Sequence, residues 1–220
     1  MRERALRSAA AVSLLFGTVV YSPAQAALIT FDTVVTGQTS FGFDGDGDGI
    51  NDVIFSTTDP AGFNITGPGP NMTFIHEPGL EGTSLLNPDL TVNFLRGATG
   101  PLAFGFALNS SISDPSFFAS IRVFDASATE IGSASQVGNF TVTVPPFGLS
   151  SFPEGFITVS FPGVAAFATF DFTSAVGRFI IDDFSGTFGS TERVPEPESL
   201  TLLSVGILAL RAFRGRRIVS

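Results

Sequence analysis

The residues of this sequence that could bind a metal ion lie close together, in residues 43–52 (FDGDGDGIND). Carboxylates stand at relative positions 1, 3, 5 and 9 of this stretch, counted from Asp44, with Gly49 at position 6. Ca²⁺ prefers six or more oxygen ligands, and this spacing matches the first part of a calcium-binding loop. A tight turn at the glycine would let the loop surround one cation. The pattern therefore predicts a structural calcium site with ligands from Asp44, Asp46, Asp48, the Ile50 carbonyl and Asp52.

This loop departs from the EF-hand, because position 12 is Phe55 and no bidentate Glu follows. It is similar to the short DxDxDG-x-x-D loops of thrombospondin type 3 repeats and integrin-like blades, in which the last aspartate leads into a strand. We expect an affinity of about 10⁻⁴ to 10⁻³ M, as in extracellular modules. The alternative is a solvated turn without metal, since Asp and Gly are favoured turn residues.

Few residues support catalysis. The chain has no cysteine, His76 is its one histidine, and no Gly-x-Ser-x-Gly motif occurs. A glycan hydrolase would need two facing carboxylates. Asp182 and Asp183 are adjacent, so we expect them on opposite faces of a strand rather than as a pair. We therefore expect a protein that is not an enzyme.

Composition and charge narrow the class of protein. The 220 residues include 25 Phe, 24 Gly and 14 Pro but only 14% charged residues, which favours a β-rich domain with many turns. The net charge is −9, and residues 27–194 hold 17 acidic residues against four arginines. Such a body repels anionic polymers, and we expect no nucleic-acid partner.

Short apolar runs separated by Gly, Pro, Asn and Asp predict an all-β domain, an antiparallel β-sandwich or jelly roll. A long loop is expected at residues 59–70, where three Pro and three Gly cannot sustain a strand. The predicted strands are 52–56, 72–76, 91–95, 102–108, 118–124, 140–144, 156–161, 166–172 and 178–182.

The amino-terminal stretch has the order of a secretory signal peptide. Arg2, Arg4 and Arg7 precede an apolar run at residues 9–21, and Ala24-Gln25-Ala26 offers small residues at a cleavage site. This predicts a signal helix at residues 1–26, removed after Ala26, and an exported body at residues 27–193.

The carboxyl-terminal stretch combines a proline-broken motif, an apolar run and a basic cluster. The apolar run at residues 200–210 would make about 16 Å of helix, against roughly 30 Å of membrane hydrocarbon. With the flanking residues included, the sequence predicts a short transmembrane helix at residues 199–213. The basic residues at 211–217 form a stop-transfer signal. The motif is Pro195, Glu196 and Pro197, and the basic residues are Arg211, Arg214, Arg216 and Arg217.

Together, residues 194–220 resemble the PEP-CTERM sorting signal of Gram-negative bacteria. The resemblance implies recognition by exosortase, a membrane cysteine transpeptidase, in bacteria that make exopolysaccharide. An ordinary single-span anchor after a proline-rich linker is the alternative. The run 179–184 (FIIDDF) also resembles the last strand of jelly-roll ectodomains in PEP-CTERM proteins.

The sequence thus predicts an exported protein with exosortase as its processing partner. It would be held at the inner membrane before processing and then reach the cell-envelope surface or extracellular matrix. There we expect a structural or adhesive role, with exopolysaccharide or other cell-surface components as partners. The alternatives are a carbohydrate-binding module, disfavoured because Tyr21 is the only Tyr and Trp is absent, and a glycan hydrolase.

Overall fold

A computed structural model describes residues 25–65, 69–76, 78–82, 89–141, 150–174 and 177–189. Within these ranges the chain forms strands and turns, and it contains no helix long and apolar enough to cross a membrane. The predicted signal helix up to residue 24 and the predicted transmembrane helix lie outside the described residues. The strands are β1 (Gln25–Ile29), β2 (Ser40–Phe43), β3 (Val53–Ser56), β4 (Phe63–Asn64), β5 (Leu80–Gly82), β6 (Asp89–Leu108), β7 (Phe118–Phe124), β8 (Glu130–Val137), β9 (Glu154–Val159), β10 (Ala165–Thr173) and β11 (Phe179–Phe188).

All eleven strands join in one antiparallel sheet through the 20-residue strand β6. Residues 89–98 of β6 pair with β10 on one edge, and residues 91–94 pair with β3 on the other. Residues 98–108 pair with β11 and residues 102–107 with β9. We call β2, β3, β10, β7, β8 and residues 89–98 of β6 the first half-sheet. The second half-sheet contains β1, β4, β5, β11, β9 and residues 98–108 of β6.

Phenylalanine rings fill the space between the two half-sheets. Phe55 of the first contacts Phe184 of the second edge to face, with ring centroids 5.2 Å apart. Phe104 and Phe170 meet across the same space at 5.1 Å. All four rings are buried, and burying one such side chain stabilises the fold by about 1.5–3 kcal/mol. The sheet is thus folded over a single aromatic core, which confirms the all-β antiparallel class and is sandwich-like.

Several of the predicted strands are confirmed. Strand β7 has the predicted bounds, and its buried residues Ala119, Ile121 and Val123 alternate with more exposed ones. The two strands predicted at 91–95 and 102–108 are instead one continuous β6. Gly97 adopts a φ of +82°, which only glycine takes readily, and the pairing with β11 continues at Ala98 and Thr99.

Other sequence predictions were wrong or incomplete. The loop predicted at 59–70 contains β4, and β8 was missed because its exposed, polar residues show no apolar alternation. Strand β1 was missed as well, since it begins at Gln25, inside the predicted signal peptide. Phe140 and Thr141 are not in a strand, and the remainder of that predicted strand lies outside the described residues.

The segment at residues 71–76 is not the predicted strand but a strap over the outer face of the second half-sheet. Its amides donate to buried carboxylates instead of to a neighbouring strand: Thr73 N and Phe74 N donate to Glu154, at 2.9 and 2.8 Å. His76 N donates to Asp182 at 2.7 Å. A Cβ at Gly105 would lie 1.9 Å from the Phe74 carbonyl oxygen, so this close crossing requires glycine in β6.

Candidate functional site

The aspartate loop connects β2 to β3 and is closed by the pairing of these strands. Asp52 N donates to the Phe43 carbonyl at 2.7 Å, which fixes the two ends of the loop side by side. Gly47 and Gly49 have φ values of +74° and +85°, and these left-handed positions let the chain turn sharply. The loop is therefore compact, as the glycines of the sequence predict.

The loop carboxylates accept hydrogen bonds from the loop's own backbone. Both oxygens of Asp44 accept, from Gly47 N and Gly49 N, each at 2.7 Å. Asp48 Oδ1 accepts from Ile50 N at 2.8 Å. The amide of Gly49, followed by that of Gly47, lowers the pKa of Asp44 below its ordinary value. Main-chain donors thus orient the carboxylates of Asp44 and Asp48, and they hold Asp44 in its ionised form.

The predicted ligand residues are brought together only in part. One carboxylate oxygen from each of Asp44, Asp46 and Asp48 lies within 4.8 Å of the others. Asp52 is buried and stands apart from this trio, with Oδ2 accepting from Gly45 N at 2.9 Å. The Ile50 side chain is exposed, and the backbone amide of Ile50 donates to Asp48.

Arg96, which the sequence analysis did not identify, supplies a cation to this loop. Its Nη1 lies 2.9 Å from Asp46 Oδ2, and its Nη2 contacts Asp48. Asp52 Oδ1 is 3.8 Å from Nη1. The hydrogen bond to Asp48 raises the pKa of Arg96, so the guanidinium stays charged. Three carboxylates face one arginine, and Asp44 adds a fourth acid to the loop, which leaves a local excess of negative charge.

The position of Arg96 follows from strand pairing rather than from any local motif. Strand β3 pairs with β6 at Val53 and Phe94, and Leu95 N donates to the Asp52 carbonyl at 2.8 Å. The next residue of β6 therefore lies against the loop. A single arginine next to a predicted strand gives no sequence signal for this contact.

A second acidic group joins the strap to β11. His76 Nδ1 lies 3.3 Å from Asp183 Oδ2, and one ligand atom from each of His76, Asp182 and Asp183 falls within 4.8 Å of the others. The expectation that the two aspartates point to opposite faces was wrong. Asp183 has a φ of +50° at an irregularity in the pairing of β11 with β6, which turns its side chain toward its neighbour's.

Burial makes the carboxyl of Asp182 an unusually weak acid. It raises the pKa of this carboxyl to about 6, against the opposing effect of hydrogen bonds from the amides of His76 and Asp183. The carboxyl therefore binds its proton more tightly in the folded chain than in the unfolded one.

We predict that Asp182 makes the fold less stable as the pH rises from about 4 to about 6. The raised folded pKa means that its contribution is fully present below the unfolded value and lost above the folded one. In urea unfolding, the stability of wild type relative to Asp182→Asn should fall by on the order of 1–3 kcal/mol over this range. Asp183→Asn is the matched control and should keep most of the slope, because burial rather than the neighbouring charge is the main cause. Equal slopes in wild type and Asp182→Asn would contradict the prediction.

The predicted sorting residues lie outside the described ranges: Pro195, Glu196 and Pro197, and the basic Arg211, Arg214, Arg216 and Arg217. Comparison with known proteins bears on them directly. Residues 193–217 match the family model of the PEP-CTERM protein-sorting motif. No curated protein sequence matches the chain.

Solved structures to which this chain is similar include adhesin and carbohydrate-binding domains. The K2 cleaved adhesin domain of Lys-gingipain is 16% identical, with 74% of this chain and 98% of that chain covered and a TM-score of 0.42. The K3 cleaved adhesin domain of Lys-gingipain from Porphyromonas gingivalis w83 is 18% identical, with coverages of 73% and 98% and a TM-score of 0.39. A family 29 carbohydrate-binding module is 12% identical, with coverages of 79% and 98% and a TM-score of 0.35.

All three TM-scores lie below 0.5, and none of these likenesses bears on the ligand or activity of this chain. The sorting motif does bear on its fate, since it implies export and processing by exosortase. Residues 193–217 of this chain are therefore a PEP-CTERM protein-sorting motif, which follows a β-rich, sandwich-like body.

Proposed function

We propose that this chain is a non-enzymatic structural or adhesive protein of the cell-envelope surface or the extracellular matrix. The observation that carries the proposal is the sorting motif at residues 193–217. A carbohydrate-binding module that recognises exopolysaccharide is the second candidate, favoured by a cavity on the second half-sheet that is described in the next subsection.

The described body supports a structural role through the way its buried carboxylates are used. Glu154 accepts from two amides of the strap, and Asp182 accepts from the amides of His76 and Asp183. Glu81 contacts Arg178 and Asn64. These buried acids connect loops to strands, as we expect in a protein with a structural role.

Sorting is tested by changing the motif. In producing cells, we predict that a chain with Pro195→Ala, Glu196→Ala and Pro197→Ala stays in the inner-membrane fraction, whereas wild type reaches the surface or matrix fraction. Wild type should stay in the membrane in a strain without exosortase. The matched control is Glu198→Gln, which changes a neighbouring acid and leaves the motif intact. Equal surface delivery of the triple variant would contradict the proposal.

We further propose that the aspartate loop holds Ca²⁺ in a structural role. The clustered oxygens of Asp44, Asp46 and Asp48 support this, as does the negative charge that remains after Arg96 is counted. Hard oxygen donors of this kind suit calcium. Because Arg96 contacts Asp46 and Asp48, the arginine and the metal ion would compete for the same two carboxylates. Bound calcium would cross-link the β2–β3 connection.

We predict that about 10 mM Ca²⁺ raises the Tm of wild type by roughly 3–10 °C, the shift expected for an affinity of extracellular grade. Arg96→Gln should lower the Tm in EDTA and respond more strongly to Ca²⁺, because the competing guanidinium is gone. Asp46→Asn should respond little, while the control Asp114→Asn should respond like wild type. An absence of any calcium shift in both wild type and Arg96→Gln would leave the loop as a solvated turn closed by Arg96.

A further inference from the structure

A cavity of about 160 Å³ opens on the outer face of the second half-sheet, away from the aspartate loop. It lies where β5, β11 and β6 run side by side. The residues that shape it include Glu81, Ala107, Asn109, Phe152, Arg178 and Ile180.

The floor of the cavity is apolar because of the strand register. Ile180 of β11 is paired with Glu81 of β5 on one side and with Ala107 of β6 on the other, so the three side chains share the outer face. Ala107 and Ile180 form a small buried cluster with Ile75 of the strap, and Phe152 packs against that cluster. Apolar side chains and an aromatic ring therefore bound the space.

The rim of the cavity is polar and its charges are balanced. Glu81 is buried; its Oε2 accepts from Asn64 Nδ2 at 2.7 Å, and its Oε1 contacts Arg178 Nη2. A carboxylate has about four lone-pair sites, so it can accept further hydrogen bonds from a ligand. Within the described ranges, Arg178 Nε is buried without a hydrogen-bond partner, which leaves this guanidinium incompletely satisfied.

Asn109 adds a group that can both donate and accept. Its backbone N donates to the Arg178 carbonyl at 3.0 Å, which joins the main chains of these two lining residues. Hydroxyl groups also donate and accept, so the rim matches a molecule that carries several of them. A ligand with a net charge would face either Glu81 or Arg178 unfavourably.

The volume limits the size of the ligand. A protein cavity of about 150 Å³ holds one six-membered ring, as shown for benzene in an engineered apolar cavity. Here the floor suits the carbon skeleton of such a ring, whereas the rim suits hydroxyls. We propose that the cavity binds one neutral pyranose ring, the end unit of a matrix polysaccharide. This deepens the adhesive role proposed above and rests on export for access to the polysaccharide.

Phe152 would pack against the C–H face of the sugar, as aromatic rings do at carbohydrate sites. The sequence, with one Tyr and no Trp, disfavours sugar binding because phenylalanine has no polar group. In this cavity Glu81, Arg178 and Asn109 supply the polar contacts, so a phenylalanine ring is sufficient.

The test is an NMR titration of the full chain in a detergent without a sugar headgroup. The probes are methyl glucopyranoside, methyl galactopyranoside and methyl mannopyranoside, each up to about 50 mM, because one ring should bind in the millimolar range. At least one probe should shift the methyl signals of Ile180 and Ala107 and leave those of Val53 in β3 unchanged. Binding in solution does not depend on sorting, so it can fail while the delivery experiment succeeds, and the reverse.

Two variants test the named contacts. Phe152→Ala and Asn109→Ala should each weaken binding at least fivefold. Phe156→Ala is the matched control, because this half-exposed ring lies on β9 outside the cavity, and it should bind like wild type. The titration of the wild-type chain tests the proposal even if a variant fails to fold. A parallel titration uses methyl glucuronide as a charged probe. The proposal is overturned if no neutral probe shifts the signals of Ile180 and Ala107, or if only methyl glucuronide does so. Equal shifts in β3 would overturn it as well.

Discussion

Strand β6 is hydrogen-bonded on both of its edges in both half-sheets, and the rest of the structure depends on this. The strand passes from one half-sheet to the other around Gly97, whose φ of +82° bends the chain without ending its pairing. It therefore fixes the aromatic core on one side and the outer cavity on the other. A break in β6 would interrupt its pairing with β3, β9, β10 and β11, which come from distant parts of the sequence.

The same strand supplies residues to each candidate site. Arg96 lies against the aspartate loop because residues 91–94 pair with β3. Ala107, eleven residues later and on the outer face, forms part of the cavity floor. Gly105 allows the strap to cross closely enough for Phe74 N to reach Glu154. The two candidate sites thus share a rigid support, although they lie in different half-sheets.

The sequence predicted those features that depend on neighbouring residues. The apolar run at residues 118–124 predicted β7 with its bounds, and the Asp-Gly pattern predicted a tight turn that leads into a strand, β3. Local patterns failed where distant groups decide. The sequence of the strap at residues 71–76 is typical of a strand, yet its backbone amides donate to the carboxylates of Glu154 and Asp182. Arg96 and the outer cavity depend on the register of β6, which no short window of sequence contains.

The central claim is that this protein is exported and processed at the motif of residues 193–217. The most direct measurement is the intact mass of the protein recovered from the surface or matrix of producing cells. We predict a chain that begins at Ala27 and ends near Pro195–Pro197, so that the apolar run and the arginines that follow it are missing. A mass that corresponds to a carboxyl terminus at Ser220 would contradict the account.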